Sequence, residues 1–169
     1  MNVTGDDLAG VVDLFGALSR EELGNALAEL AFKRGEEYEP TAFAAEIDEA
    51  LDSFHLVAVD ADAVERADGE ENASDDGEVP TTYLIAGPVA FPTGTEGAAD
   101  LVHILDVPDR TVDRDVGGAA AIETYRKAVA EATADDDVDE THQLVEVSYE
   151  IEAWADVDLA EVRDDLTGE

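Results

Sequence analysis

Cysteine is absent from the 169 residues, which excludes disulfides, thiolate metal sites and a cysteine nucleophile. Basic residues are scarce: nine Lys and Arg stand against 44 Asp and Glu, for a formal charge of −35. Only Lys33 and Lys127 are lysines. So acidic a surface repels phosphate, because nucleic-acid binding draws most of its affinity from cations. No stretch approaches the roughly 18 apolar residues of a membrane span. The opening MNVTGDDLAG lacks the basic start and apolar run of a secretory signal, so a cytoplasmic protein without a membrane anchor is expected. Aromatics are few, at 6%, but 45% of the chain is apolar. A chain of this length buries about two thirds of its unfolded surface, which suits a single domain over residues 1–169.

The acid excess needs a physical cause. Whole-chain disorder conflicts with segments of clean apolar periodicity. Mimicry of nucleic acid would rest on charge alone. Molar salt explains it better, because the Debye length there is about 3 Å and self-repulsion is largely screened. Acids spread through every segment, two lysines and abundant Ala fit that cause. In such a chain carboxylate clusters arise by chance.

Leu8, Val11, Val12, Phe15 and Leu18 recur at helical spacing and predict a helix over 6–18, with Thr4 and Asp7 as a loose capping box. Ser19-Arg20-Glu21-Glu22 is a capping box for a second helix with Leu23, Ala26, Leu27, Leu30 and Ala31 inside, ending at Lys33, Arg34 and Gly35. A third helix over 41–54 carries Phe43, Ile47, Leu51 and Phe54. Leu56-Val57-Ala58-Val59 and Thr81–Ala86 predict a β-hairpin, and residues 60–80, with nine acids and one Arg, its mobile acidic tip. Residues 98–105 fit a short helix or a strand. A helix follows over 115–133. Val145, Val147, Tyr149 and Ile151 alternate with polar residues and predict a long antiparallel strand in the same sheet, before a short final helix around Leu159, Val162 and Leu166. The class expected is α+β.

Three helices followed by a hairpin resemble the winged-helix arrangement over residues 6–86. The acidic composition and layout resemble uncharacterised proteins of halophilic archaea; no activity or functional residue follows from either likeness.

No chemical motif speaks for an enzyme. The sequence has no G-x-S-x-G, Walker loop, G-x-G-x-x-G or H-E-x-x-H. Asp135, Asp137, Asp139 and Glu146 fall at calcium-loop positions one, three, five and twelve, but Glu140 stands where the loop needs Gly, so a solvated acidic turn is expected. His55, His103 and His142 lie far apart; His103, among Leu101, Val102, Ile104 and Leu105, suits a core or interface role better than a zinc site. Gly87–Pro92 is an apolar, proline-bounded connection expected to lie across the core, and Trp154 is expected to pack inside. Catalytic, cofactor-binding and metal residues are therefore none.

The third helix, in the place where a winged helix reads DNA, has Glu46, Asp48, Glu49 and Asp52 and no Arg, Lys, Asn or Gln. Base recognition needs such donors and acceptors. The leading expectation is a non-enzymatic protein-interaction or regulatory module whose partner is another protein or a second copy. The alternative is a winged-helix transcriptional regulator touching DNA through Arg20, Lys33 and Arg34. An enzyme or metal protein using His103 and nearby acids comes third.

Overall fold

A computed structural model describes residues 2–67, 80–92 and 94–168. The first helix, α1 (Gly5–Phe15), carries the full Thr4–Asp7 capping box and buries Leu8, Ala9, Val11, Val12 and Phe15. It stops three residues short of the expected Leu18. Gly16 turns the chain at φ +84°, and a Cβ there would sit 1.8 Å from the Arg110 carbonyl oxygen, so only glycine fits. Leu18 is thereby freed to pair with Leu84, through N–H···O bonds of 3.1 and 2.7 Å.

The second helix, α2 (Arg20–Lys33), starts on the Ser19–Glu22 capping box and buries the expected stripe. Gly35 ends it with a left-handed φ of +80°. A 3₁₀ turn (Pro40–Phe43) leads into α3 (Ala44–Asp52). Phe54 follows at φ +64°, with its buried ring edge-on to Tyr125 at 6.2 Å.

The strands β1 (Leu56–Asp60), β2 (Val64–Arg66), β3 (Thr82–Ala86) and β4 (Arg110–Val112) form two two-stranded antiparallel sheets. Leu56 pairs with Ala86 and Asp60 with Thr82, so the expected β1–β3 pairing is present. The expected acidic tip differs over its first third. Ala61–Ala63 is a 3₁₀ turn, and Val64–Arg66 pairs with β4 across Val64↔Val112. Val64 is buried there, and it supplies the apolar contact that an all-polar tip would lack. Residues 68–79 of that tip lie outside the described residues.

After a 3₁₀ turn (Ala98–Asp100) comes the short α4 (Leu101–Ile104), so the stretch expected as a short helix or a strand is helical up to Ile104, with Leu105 extended. Then α5 (Arg114–Asp135), α6 (Val138–Trp154) and α7 (Ala160–Thr167) complete the chain. The long strand expected at 145–151 is instead the centre of α6. The alternating pattern hid a helical one: Leu144, Val147, Ser148 and Ile151 are the buried set, at spacings of three, one and three. Tyr149, inward in the strand reading, is 57% exposed. The helix also satisfies its own backbone, whereas the strand required a neighbour in the sheet. Leu144→Ala should therefore cost about 2–5 kcal/mol. Tyr149→Ser should cost about 1 kcal/mol or less, the scale of the cation–π contact its exposed ring makes with Arg163 at 4.1 Å. Urea unfolding of both variants checks this; equal losses would restore the strand.

The β1–β3 sheet sits between two apolar layers. Leu56 and Leu84 join the core made by α1, α2 and α3. Val57, Val59, Tyr83 and Ile85 turn the other way and meet Ala121 of α5. A third cluster joins Phe54, Tyr125, Leu144, Val147, Ile151 and Leu159, and the Tyr125 hydroxyl donates to the Leu144 carbonyl at 2.9 Å. The class is α+β, as expected. No helix among the described residues is long and apolar enough to cross a membrane.

Candidate functional site

One groove of mixed character, with two aromatic rings among acidic side chains, is built from the outer face of α2. Along α2 the buried stripe leaves Phe32 on the opposite side, 64% exposed. Gly24 lets the following link come close, since a Cβ there would meet the Pro40 carbonyl oxygen at 2.7 Å. Tyr38 in that link is 42% exposed and lies 5.6 Å, ring to ring, from the buried Phe43. The third wall is packed on the core through Ala98 and Leu101 and is tied to α2 by two cations. Lys33 Nζ donates to Asp100 Oδ2 at 2.6 Å and to the Gly97 carbonyl at 3.3 Å. Arg34 donates to the Glu96 carbonyl at 3.5 Å. These bonds hold the segment that carries Leu105 against the end of α2. The hydrogen bond from Lys33 keeps the Asp100 carboxyl below its ordinary range. Phe32, Tyr38, Ala28 and Leu105 then enclose about 750 Å³, with Glu29, Glu37 and Glu39 also lining the groove.

The α1–α2 corner is fixed by a buried ion pair. Arg110, only 7% exposed, donates from Nη1 to Glu22 Oε2 at 2.6 Å and from Nη2 to Glu22 Oε1 at 2.8 Å. Nη1 also donates to the Ala17 carbonyl at 3.2 Å, and the guanidinium stacks 4.6 Å over Tyr83. Burial pushes the Glu22 carboxyl up; the Arg110 and Ser19 hydrogen bonds and the Arg110 charge outweigh it and leave the group below its ordinary value. Burial raises the Tyr83 phenol.

A smaller cleft of about 410 Å³ opens beside this corner, lined by Asp13, Asp113, Arg114 and Trp154 among others. Arg114 lies 5.3 Å over the Trp154 ring and donates to its carbonyl at 3.0 Å. Trp154 is thus half-buried at a cleft edge rather than inside the core. In Gly87–Pro92, Val89 and Ala90 pack inward as expected, while Phe91 is 74% exposed and donates its N–H to Asp6.

The structure separates the candidate metal ligands. Asp135 ends α5, Asp137 caps α6 by accepting from the Glu140 N–H at 3.1 Å, and Glu146 lies two turns into α6. Among the described residues, no three His, Asp or Glu side chains gather as a metal site. His103, on α4, and His142, on α6, are both exposed, so neither packs in the core. His55 has Ser53 Oγ 2.7 Å from Nδ1 and Asp6 Oδ1 3.7 Å from Nε2. The Asp6 distance is too long for a hydrogen bond, and the Ser53 hydroxyl also faces the Ala50 carbonyl of its own helix at 3.4 Å. The start of α1 instead meets the end of α3 by packing, since a Cβ at Gly5 would lie 2.5 Å from the His55 ring.

Sequence reasoning missed Phe32, Tyr38 and Arg110. Phe32 left a signal, as a large apolar residue off the α2 stripe. Arg110 left none, because its partner is 88 residues away.

The fold and these surfaces define an acidic α+β protein with a groove on its second helix in which Phe32 and Tyr38 stand among acids. The family model that matches residues 6–169 describes a family of unknown function, DUF7109, and the chain belongs to that family. No curated protein and no solved structure matches the chain.

Proposed function

We propose that the chain is a non-enzymatic protein-interaction or regulatory module of a salt-rich cytoplasm, with a winged-helix-like N-terminal half. The observation that carries this is the groove of Phe32, Tyr38 and Leu105. A soluble surface gains nothing from a phenylalanine 64% exposed beside a half-exposed tyrosine, whereas interfaces are enriched in such rings. Glu29, Glu37 and Glu39 select the occupant: a protein segment presenting apolar side chains flanked by Arg or Lys.

The winged-helix likeness is supported by element order, with the single Leu18–Leu84 bridge tying the α1–α2 link to β3. DNA binding is not the favoured use of that arrangement. Arg20 pairs with Asp48, Lys33 with Asp100, and Arg34 with the Glu96 carbonyl, so all three proposed DNA contacts serve internal acceptors. The −35 charge and the scarcity of lysine support the high-salt setting. Affinity capture in molar KCl tests the docking role. A protein retained by the natural chain and by Tyr149→Ser, but lost at least tenfold with Phe32→Asp, is expected; equal retention by all three would overturn it.

A further inference from the structure

The outer face of α5 holds a different kind of patch. Ala119, Ile122, Glu123, Arg126, Lys127 and Ala130 line an apolar concavity of about 570 Å³. In a chain with 44 acids and nine bases, this patch has two bases and one acid. Lys127 pairs with Glu123 one turn away at 3.3 Å, both side chains being 72% exposed. Arg126 makes no ion pair, hydrogen bond or ring contact among the described residues, unlike the other eight bases.

We propose that two copies of this chain associate through antiparallel α5 helices, which meet about a two-fold axis midway between Thr124 and Tyr125. A two-fold contact requires a patch complementary to itself, with residue i meeting j′ and j meeting i′. The six lining residues satisfy that condition about this axis. Ala119 faces Ala130 of the second copy, Ile122 faces the aliphatic stem of Lys127, and Glu123 faces Arg126. The two alanine pairs let the helices approach closely, and the half-buried Ile122 gains cover. Each unpartnered Arg126 acquires a carboxylate, twice per dimer.

A second copy fits this patch better than an acidic or a basic partner. The acids outside the patch repel those of a second copy too, but over only about 3 Å in molar salt; within the patch an acidic segment would leave Glu123 facing like charge, which a second copy does not. A strongly basic one would meet Arg126 and Lys127. Pairs shielded from water within an interface are screened less than surface charges, so they survive in molar salt. The contact shares no residue with the α2 groove and holds or fails independently of the docking role.

The test is the mass of the full chain by analytical ultracentrifugation at micromolar concentration in molar KCl. A species of twice 17.9 kDa is expected. Glu123→Arg and Arg126→Glu each place like charges opposite one another and should weaken association at least tenfold, while each chain stays folded because both sites are exposed. Mixing these two weakened variants should restore dimers, since the arginine introduced in one chain then meets the glutamate introduced in the other. The double variant carrying both changes should also dimerise. A monomeric natural chain, a dimer indifferent to either single change, or two variants that fail to pair on mixing would each overturn the proposal.

Discussion

Arg110→Met should destabilise the protein by about 3 kcal/mol, the lower end of the range for removing one partner of a buried ion pair. The lower end applies because the Glu22 side chain is 24% exposed, and water partly rehydrates the stranded carboxylate. Methionine also forfeits the bond to the Ala17 carbonyl and the stacking on Tyr83. Glu22→Gln should cost less, because glutamine at that position still completes the capping box with Ser19. The double variant should lose less than the sum of the two, since Arg110→Met removes most of what Glu22→Gln would take away. Additive losses would show that the pair contributes nothing as a pair.

The same pair sets the sign of one acid effect. The folded Glu22 carboxyl lies below its ordinary 4.5, so the stabilisation it supplies is complete above about that pH and is lost as pH falls through the folded value. Arg110→Met removes the hydrogen bonds and the charge of Arg110 that help to lower it, while the Ser19 bonds that lower it and the burial that raises it remain. The fall in stability on acidification below pH 4.5 should therefore be shallower in the variant than in the natural chain. Urea midpoints at a series of pH values read this directly.

Salt should have an effect of comparable size and opposite use of charge. Forty-four carboxylates against nine bases repel one another over about 10 Å at 0.1 M salt, but over about 3 Å at 1 M. Stability should rise by several kcal/mol across that range, and Tm by on the order of 10–20 °C. Exposed ion pairs such as Lys127–Glu123 weaken with salt, but each contributes under about 1 kcal/mol and cannot reverse the trend. The Arg110 deficit should persist at high salt, because buried pairs are screened least. A Tm that stays flat from 0.1 to 2 M KCl would remove the high-salt setting.

Local signals made much of the N-terminal half legible. Capping boxes at Thr4 and Ser19, the glycine after Arg34 and the apolar stripes located α1 and α2, because each depends on residues within one or two turns. The pairing of β1 with β3 was equally visible from two apolar runs. What failed was non-local or degenerate. Three-residue strands such as β2 and β4 exist only because each finds the other, 48 residues apart at Val64 and Val112. In α6 both periods fit the same letters. The deciding residue is Ser148, polar in the strand pattern yet 0% exposed, with Oγ accepting from Arg163 at 3.0 Å. A buried serine whose partner comes from another helix cannot be told from a surface serine by spacing. The groove was half visible: Phe32 stands off its stripe in the sequence, but Leu105 reaches it through the distant core packing of Ala98 and Leu101 and the Lys33–Asp100 pair.

Docking on protein rather than on duplex DNA, as proposed for this module, can be read in one experiment. Crosslinking the tagged full chain inside cells, then quantifying bound protein and bound DNA from the same sample, measures both at once. Three chains are compared: the natural one, Phe32→Asp, and the triple change Arg20→Glu, Lys33→Glu and Arg34→Glu. A protein crosslink that Phe32→Asp abolishes is expected, with no DNA sequence enriched by any of the three. A DNA sequence enriched by the natural chain, lost with the triple change and kept by Phe32→Asp would contradict the docking role.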